Sequence, residues 1–389
     1  MRTAAMDQPA RKRPKDRKAQ LATTAAELFR ERGYHGVGLD DIASAVGISG
    51  PAIYRHFDSK YAILVHATRR LVDAALSATD EPGDDLLGLF KALARVAVEN
   101  RRVAGLYQWE WRYLSDDDRR LFQADLDMLF RRLGERLAAK RPGLSEADVG
   151  ALVRAALSVI GSIGTHRSAI AKGRAEQVLP ALAMAVAHGQ PPTPAYVTFT
   201  FDPPIRVGDR REIILAGSVR LFRKFGYHGV SIEQIGQQSG INASSVYRYF
   251  PGKAEILAAA FYRASARVAE ATMTALNGAT GDQDALWRMA ESYVDLAFER
   301  ADLVSVYLAE FNNLPEADRH ELRKVQRLHV EEWVRLLLAV RPHLPAAEAR
   351  VMVHAALNVV TDLSRWVRFD RRSRMDEHLA NTVLTILKA

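Results

Sequence analysis

Residues 33–64 read GYHGVGLDDIASAVGISGPAIYRHFDSKYAIL, and residues 226–257 read GYHGVSIEQIGQQSGINASSVYRYFPGKAEIL. The two stretches align without a gap at an offset of 193 and share 14 of 32 residues. The duplication extends further, because AALSVIGSI at 155–163 returns as AALNVVTDL at 355–363, at an offset of 200. This period is far longer than that of a solenoid repeat, and each copy is long enough to bury its own core. The sequence therefore predicts one large unit that occurs twice in the chain.

The repeated stretch has the spacing of a helix-turn-helix. In the first copy a short amphipathic helix ends at Gly47, where a residue without Cβ suits the positive φ of a tight turn. Ser49 is placed to cap a third helix from about Gly50 to Phe57, in which Ile53 faces the core. The second copy keeps the turn glycine, a capping residue and the core positions.

The outer face of the third helix, with the lysine that follows it, carries the residues that we predict to contact DNA. Short side chains at the start of that helix allow a close approach to base edges, and longer ones reach phosphates. In the first copy these residues are Ser49, Gly50, Pro51, Tyr54, Arg55, His56 and Lys60. In the second copy they are Asn242, Ala243, Ser244, Tyr247, Arg248, Tyr249 and Lys253, together with Ser231, which is placed to cap the preceding helix. Because the first-turn residues differ, the sequence predicts two heads that prefer different bases.

The pattern GYHGV followed by IA..VGIS...IYRHF.SK..IL resembles the TetR/AcrR family of bacterial transcriptional regulators, and both copies carry it. The resemblance implies an all-α chain of two tandem units, each with a helix-turn-helix head and a helical body that binds a ligand and dimerises. It also implies DNA contacts at the matching positions given above. One departure is Gly38, where the family has a Ser or Thr that caps the second helix and touches a phosphate. A basic arm at Arg11–Lys15 either compensates by gripping DNA or stays a solvated tail.

Composition also predicts the domain boundaries. The segment 188–208 holds five prolines and cannot continue a helix, so it separates the two halves. Its middle, 196–201, alternates in the manner of a strand. The predicted domains are a first head with its basic arm at 1–64, a first body at 65–188, the linker at 189–208, a second head at 209–257 and a second body at 258–389.

Helical periodicity continues through both bodies. It predicts helices near 60–79, 85–100, 103–113, 115–140, 145–170, 176–188, 345–368 and 375–388. The offset rises from 193 to 200 between residues 64 and 107, so the second half has seven additional residues there. These residues either lengthen its fourth helix by about 10 Å or form a longer loop around 277–281.

Composition restricts the class of protein. The chain has 389 residues, no cysteine, 26% charged residues and a formal net charge of +8, which is typical of a globular protein. It has no run of about 18 apolar residues and no signal peptide, so we expect a cytoplasmic protein that does not enter a membrane. The first 70 residues hold 13 Lys plus Arg against 7 Asp plus Glu, which favours double-stranded DNA as a partner. The sequence contains no recognisable motif for catalysis, a metal or a cofactor, and we expect His35 and His228 to be structural.

The sequence as a whole predicts a DNA-binding transcriptional regulator, a ligand-responsive repressor with two non-identical heads. The resemblance implies that the last two helices of each body pack against a partner, and because both partners are in this chain, we predict an intramolecular pseudo-dimer, with a homodimer with four heads as the alternative. The apolar segments at 151–187 and 351–387 suit such close helix packing. The family resemblance implies a small apolar effector, for which aromatic side chains with polar groups are candidate contacts. These candidates are Tyr107, Trp109, Trp111 and His166 in the first body and Tyr307, Phe311, Trp333, His354 and Trp366 in the second. Ordinary core packing is the alternative for these side chains, and an architectural protein that bridges DNA with low specificity is the alternative function.

Overall fold

The computed structural model of the chain describes residues 17–80, 85–103, 113–195, 208–299 and 301–389, and all regular structure in those ranges is helical. In the first half the helices are α1 Arg17–Arg32, α2 Leu39–Val46, α3 Gly50–Ile53, α4 Lys60–Ala78, α5 Leu86–Glu99, α6 Asp116–Lys140, α7 Glu146–Gly161 and α8 Lys172–His188. In the second half they are α9 Arg210–Phe225, α10 Ile232–Gln238, α11 Ala243–Val246, α12 Lys253–Asn277, α13 Asp282–Glu299, α14 Ala301–Glu310, α15 Glu316–Val340, α16 Ala346–Trp366 and α17 Met375–Lys388. The predicted all-α fold is confirmed. The basic arm at Arg11–Lys15, most of the predicted helix near 103–113 and the strand-like segment 196–201 lie outside the described residues.

Each head consists of short helices joined by a glycine turn. Gly47 and Gly240 have φ of 73° and 68° between the second and third helices, as the sequence predicts. Ile53 and its equivalent Val246 are fully buried and fix the third helix against the head core. The third helix of the first head is shorter than predicted and covers Gly50–Ile53. The amides of Arg55 and His56 donate to carbonyl oxygens only three residues back, and the Phe57 amide alone donates four residues back, to Ile53.

The bodies follow the predicted helices closely. The fourth helix of the second half, α12, has 25 residues, and its counterpart α4 has 19. The six additional residues extend α12 by about 9 Å at about 1.5 Å per residue, so the added residues lengthen the helix rather than the loop after it. The predicted helix at 145–170 is wrong at its end, since α7 stops at Gly161 and a 3₁₀ turn follows at Ser162–Gly164. The hydroxyl of Ser162 donates to the Val159 carbonyl oxygen at 2.7 Å and so competes with continuation of the helix.

The two bodies share one apolar core. Helices α7 and α8 pack against α16 and α17, and buried side chains of both halves form a single cluster. At the centre of this contact, Asn358 Nδ2 donates to the carbonyl oxygen and the Oγ of Ser158, at 3.0 and 2.9 Å. The carboxylate of Asp362 accepts from the side chains of both residues. Ser158 and Asn358 are equivalent positions at the offset of 200. Because equivalent residues touch, a pseudo-two-fold axis passes between them.

The contacts around this axis are not fully symmetric. The guanidinium of Arg174 holds the carboxylate of Glu348 with two hydrogen bonds of 2.7 and 2.8 Å. The equivalent residues are Arg374 and Asp148. Arg374 binds a glutamate of its own helix, and Asp148 accepts from Thr193 of the linker. The linker thus occupies the place of a second ion pair between the halves.

The two heads also contact each other at their duplicated GYHG turns. The rings of His35 and His228, which are equivalent residues, have centroids 4.7 Å apart. His228 Nε2 lies 2.8 Å from Asn313 Oδ1, and Asn312 Nδ2 donates to the Arg30 carbonyl oxygen at 3.4 Å. Both histidines therefore belong to packed turns, in agreement with the structural role predicted for them.

One segment of the described chain, Glu146–Gly164, is long and apolar enough to cross a membrane by length and composition. Of its most apolar window, 67% is buried inside the protein, at the contact between the two bodies. The segment is therefore a core helix.

Candidate DNA interface and effector cavity

The first head presents an exposed surface at α3 and the turn after it. Tyr54 is 57% exposed, and Ser49, Pro51 and Arg55 are exposed around it. Gly50 is half-buried at the point where α3 approaches α2, since a Cβ there would lie 2.3 Å from Asp40 Oδ1. His56 is half-buried as well. The predicted contact residues on α3 and in its flanking turns are thus exposed or half-buried, and Tyr54 is more than half exposed.

The second head presents the equivalent surface with different side chains. Tyr247 is 54% exposed and Tyr249 is 37% exposed. Ser244 and Arg248 are exposed beside them, and Ala243 is half-buried. Two exposed tyrosines therefore stand where the first head has one tyrosine and a half-buried histidine.

The capping residues of the two third helices behave differently. Asn242 Oδ1 accepts from the Ser245 amide at 2.9 Å and from the Ser244 hydroxyl at 2.9 Å, as a capping residue does. Ser49 makes no such side-chain bond, and its predicted capping role is wrong. The amide two positions on is missing because that residue is Pro51, and the Ala52 amide donates to the Ser49 carbonyl oxygen instead. The Ser49 hydroxyl is therefore available to a ligand, whereas Asn242 offers only its Nδ2 donor.

The lysine after each third helix turns inward. Lys60 Nζ donates to the carbonyl oxygens of Tyr34 and Val37 at 2.6 and 2.8 Å, and it lies 4.3 Å from the centre of the Tyr34 ring. Lys253 repeats these contacts with the second GYHGV turn, at 2.7 Å for both carbonyl oxygens. Burial lowers the pKa of Lys253. The predicted phosphate contact of both lysines therefore needs correction, because buried carbonyl oxygens already bind the ammonium groups and the lysines lock the turn.

The second helices of the heads start differently. The Ser231 hydroxyl accepts from the Gln234 amide at 3.3 Å, and Gln234 Oε1 accepts from the Ser231 amide at 2.8 Å, which forms a complete capping box. In the first head Gly38 has no side chain to give, and only the reverse bond forms, from the Gly38 amide to Asp41 Oδ2 at 2.7 Å. The predicted cap at Ser231 is confirmed, and the first head retains half of the box.

The second body contains a cavity of about 720 Å³ between helices α12, α13, α14, α15 and α16. Its volume lies within the range of about 300–1,000 Å³ that is common for small-molecule sites. The lining is mostly apolar, and Met273 and Leu328, which are 57% and 62% exposed, stand at its mouth. The cavity therefore opens to solvent between α12 and α15.

A few polar side chains enter this cavity, and most of them are uncharged. Burial lowers the pKa of His329 to about 4. Trp333 Nε1 donates to His329 Nε2 at 3.2 Å, so the single proton of the neutral ring is on Nδ1. Gln326 binds the hydroxyl of Tyr307, and burial raises the pKa of that hydroxyl. The wall thus offers neutral donors and acceptors on an apolar background.

One wall of the cavity touches the contact between the two halves. His354 of α16 lines the cavity, and its ring lies flat on that of His166, with centroids 4.0 Å apart and planes at 4°. Burial and then the positive charge of Arg101 lower the pKa of His354 to about 4. Burial, His354 and Arg101 hold the pKa of His166 well below its ordinary value. Arg101 also donates to the His166 carbonyl oxygen at 3.0 Å. A contact chain therefore leads from the cavity to the first body.

The candidate effector contacts have different positions in the structure. Tyr307 and His354 line the cavity. Trp333 is fully buried behind the wall and supports His329. Phe311 packs with Phe261 in the core of the second head. His166 lies behind His354, and Trp366 lies beneath the Arg154 guanidinium at 4.8 Å, at the contact of the two halves.

The predictions for Trp333, Phe311 and Trp366 as cavity lining are therefore wrong: Trp333 is buried, Phe311 packs in the head core, and Trp366, although 37% exposed, lies at the contact of the two halves and not at the cavity. Tyr107, Trp109 and Trp111 lie outside the described residues.

Sequence reasoning missed Tyr293, Gln326, His329 and Thr361, which all line the cavity. A signal for three of them was present in the comparison of the two copies. At the offset of 200 the first half has leucine at the positions of Tyr293, Gln326 and His329. Among the described residues no group of His, Asp and Glu side chains is arranged to hold a metal ion.

Comparison with known proteins gives matches for both heads. Residues 21–67 and 214–260 each match the family model described as bacterial regulatory proteins, tetR family. The HTH-type transcriptional repressor KstR2 of Rhodococcus jostii strain RHA1 is 30% identical over 142 residues, which are 34% of this chain and 70% of that protein. The HTH-type transcriptional activator FasR of Mycolicibacterium smegmatis is 43% identical over 65 residues, 16% of this chain, and the match spans only 30% of FasR. The crystal structure of the TetR family regulator PfmR from Thermus thermophilus is 28% identical and covers 44% of this chain and 98% of PfmR, with a TM-score of 0.39.

Proposed function

Since this chain belongs to the tetR family of bacterial regulatory proteins, we propose that it is a ligand-responsive repressor whose two heads act together as an intramolecular pseudo-dimer. As a member of this family, the chain is a DNA-binding transcriptional regulator and not an enzyme. Its place of action would be the cytoplasm, where operator DNA is found.

The observation that carries the pseudo-dimer is the contact between Ser158 and Asn358. A two-fold contact brings equivalent residues together on its axis, and these two residues are equivalent and hydrogen-bonded. The contact between the turns of the heads, with His35 against His228, likewise brings equivalent residues together. One chain thereby supplies the two heads that other helix-turn-helix proteins obtain from two chains.

The two heads favour an operator with unlike half-sites. The first head offers the hydroxyl of Ser49 beside Pro51, whereas the second head offers the Nδ2 donor of Asn242. A hydroxyl reads either a donor or an acceptor on a base edge, and a lone amide donor selects acceptors such as purine N7. The two heads thus have the same helices but different base-contacting side chains. This difference supports sequence-specific regulation, because an architectural protein does not need a base preference.

The cavity in the second body supports a response to an effector. It is adjacent to the contact between the halves through His354 and His166. An effector that moves His354 changes the packing of α16 on α7, and this contact sets the relative position of the two bodies and their heads. The effector would thus lower the affinity for DNA only if it binds the altered packing more tightly than the packing found in the DNA-bound protein.

The mass of the protein–DNA complex tests the pseudo-dimer. A duplex with two half-sites about one helical turn apart should bind one chain of 43.2 kDa. The mass would be measured by sedimentation at several protein concentrations. Two chains bound to every duplex would contradict the pseudo-dimer and indicate a homodimer with four heads. A number of bound chains that grows with duplex length would instead favour an architectural protein.

A further inference from the structure

The two bodies have the same fold but differ at the positions that surround the cavity of the second body. Tyr293, Gln326 and His329 line that cavity, and their equivalents are Leu93, Leu126 and Leu129. At each of these three positions the second body has a polar side chain and the first body has a leucine.

The leucines of the first body are parts of its packed core. Leu93 and Leu129 are 4% and 6% exposed and belong to the large core cluster, and Leu126 is half-buried. Phe90 is fully buried where the second half has Ala290, so the first body also has the larger side chain at this position. The first body therefore places bulk where the second body leaves space.

The histidine wall shows the same difference. His354 faces the cavity, and its equivalent in the first half is Arg154. The Arg154 guanidinium lies 4.4 Å from the Phe130 ring and 4.8 Å from the Trp366 ring. This cation is placed between two aromatic rings across the contact of the halves. Arg154 therefore packs at the contact of the two halves, whereas its equivalent His354 lines a cavity.

Two charged side chains, Arg267 and Glu332, line the cavity of the second body. Glu332 binds Arg335 at 2.6 Å. The other polar groups of the lining are the imidazoles of His329 and His354, the phenols of two tyrosines, the amide of Gln326 and several hydroxyl groups. A charged ligand group would lose its hydration against His329, Tyr307 and Gln326, which are neutral.

We propose that the cavity of the second body is the effector site of this chain, that the described residues of the first body form no equivalent site, and that the effector is an uncharged, largely apolar molecule with a hydroxyl or carbonyl group. The apolar part fills the space between α12 and α15, and the polar group meets His329 and the Tyr307–Gln326 pair. The first body is the packed partner that receives the signal through His166. The inference rests on the proposed ligand response and adds to it the number of sites and the class of ligand.

Titration with a neutral fluorescent probe tests the inference. N-phenylnaphthylamine is apolar and uncharged, and anilinonaphthalene sulfonate has the same rings with a negative charge. We expect one N-phenylnaphthylamine per full-length chain and an affinity for the sulfonate that is weaker by about tenfold or more.

A matched pair of variants assigns the site. Leu296→Trp places bulk at a residue that lines the cavity, and it should weaken N-phenylnaphthylamine binding by about tenfold or more. Val96→Trp makes the equivalent change in the first body and should leave the affinity within about twofold. His329→Leu places the first-half residue in the second half and is a second, milder variant, which should weaken binding by several-fold.

Several results would overturn the inference. Two probes bound per chain, with one lost in Val96→Trp, would establish a site in each body. Equal affinity for the sulfonate at the Leu296 site would contradict the neutral ligand class. Absence of probe binding to the unmodified protein would remove the site altogether. Release of a labelled DNA fragment is measured in the same titrations: probe binding at one site without DNA release leaves the site intact and contradicts the proposed ligand response instead.

Discussion

The two halves of this chain have the same scaffold but differ where they face other molecules. In the heads, Ile53 and Val246 hold the third helix identically, while Ser49 and Asn242 present different groups to DNA. In the bodies, Ser158 and Asn358 meet at the centre of the shared contact, while Leu129 and His329 differ at the cavity. A duplicated chain thus allows packing positions to be separated from functional positions within one sequence. Ile53 and Val246 are similar apolar residues that pack, whereas Leu129 and His329 differ in chemistry where the two bodies have different tasks.

The largest expected effect concerns the two exposed tyrosines of the heads. Tyr54→Ala or Tyr247→Ala should each weaken binding to a selected DNA fragment by about tenfold, and both together by about hundredfold, because distant sites act additively. Fluorescence anisotropy with a labelled duplex measures these affinities. The control is Trp287→Ala, since Trp287 is 40% exposed at the end of α13 near the C-terminal helix, away from the heads. An unchanged affinity in the Tyr247→Ala protein would show that only the first head binds DNA.

A second effect concerns the pseudo-axis. Asn358→Ala removes the donors to Ser158 and to Asp362 and should lower the free energy of unfolding by about 2 kcal/mol. Urea denaturation followed by circular dichroism measures the change. Asn381→Ala, at an exposed position of α17, is the matched control and should change the stability by less than about 0.5 kcal/mol. An equal decrease in the free energy of unfolding in the two variants would show that the contact between Ser158 and Asn358 does not stabilise the protein.

The stability of the chain should also depend on pH. His329 and His354 have pKa values lowered to about 4, below the unfolded value of about 6.5. Between these values the unfolded chain binds protons that the folded chain does not, so stability is complete above about pH 6.5 and falls as the pH drops towards 4. The loss is at most about 1.4 kcal/mol per pH unit for each histidine.

Urea denaturation at pH 7, 6 and 5 would measure this slope. His329→Leu introduces the residue that the first half has at this position and should flatten the slope, while His343→Leu at an exposed loop position should not. A slope that is the same in both variants would contradict the burial of a neutral His329.

The smallest effect concerns the caps of the second helices. Gly38→Ser gives the first head the residue of the second and should raise the stability by about 0.3 kcal/mol, and Ser231→Gly should lower it by a similar amount. Because the new hydroxyl also lies where a phosphate is expected, Gly38→Ser should raise the affinity for DNA by about threefold. Thermal denaturation and anisotropy measure the two quantities. Changes of the same sign in both variants would mean that the two heads are not equivalent at this position.

The heads were predictable from the sequence because their rules are local. Gly47 needs its positive φ, and this followed from residue type. The sequence left open whether the additional residues of the second half lengthen its fourth helix or the loop after it, and the structure has them in the helix. The lysines were mispredicted, since their type indicates a phosphate contact, while their geometry directs the ammonium to the carbonyl oxygens of the GYHGV turn.

The cavity was only partly predictable. Aromatic residue type does not reveal which helix covers a ring, and for that reason Phe311, Trp333 and Trp366 were wrongly expected to line it. The packing of five helices decides which side chains remain uncovered, and this depends on contacts between residues that are far apart in sequence. The polar substitutions of leucine at Gln326 and His329 were the local signal, visible only when the two copies are compared.

Selection of fragmented genomic DNA by the purified chain, followed by sequencing, tests most directly the claim that one chain reads DNA with two different heads. The account predicts a single compact motif with two unlike half-sites on one face of the duplex, of which only one changes when Asn242→Asp replaces the donor of the second head. Two identical half-sites, or coverage without any motif, would contradict it.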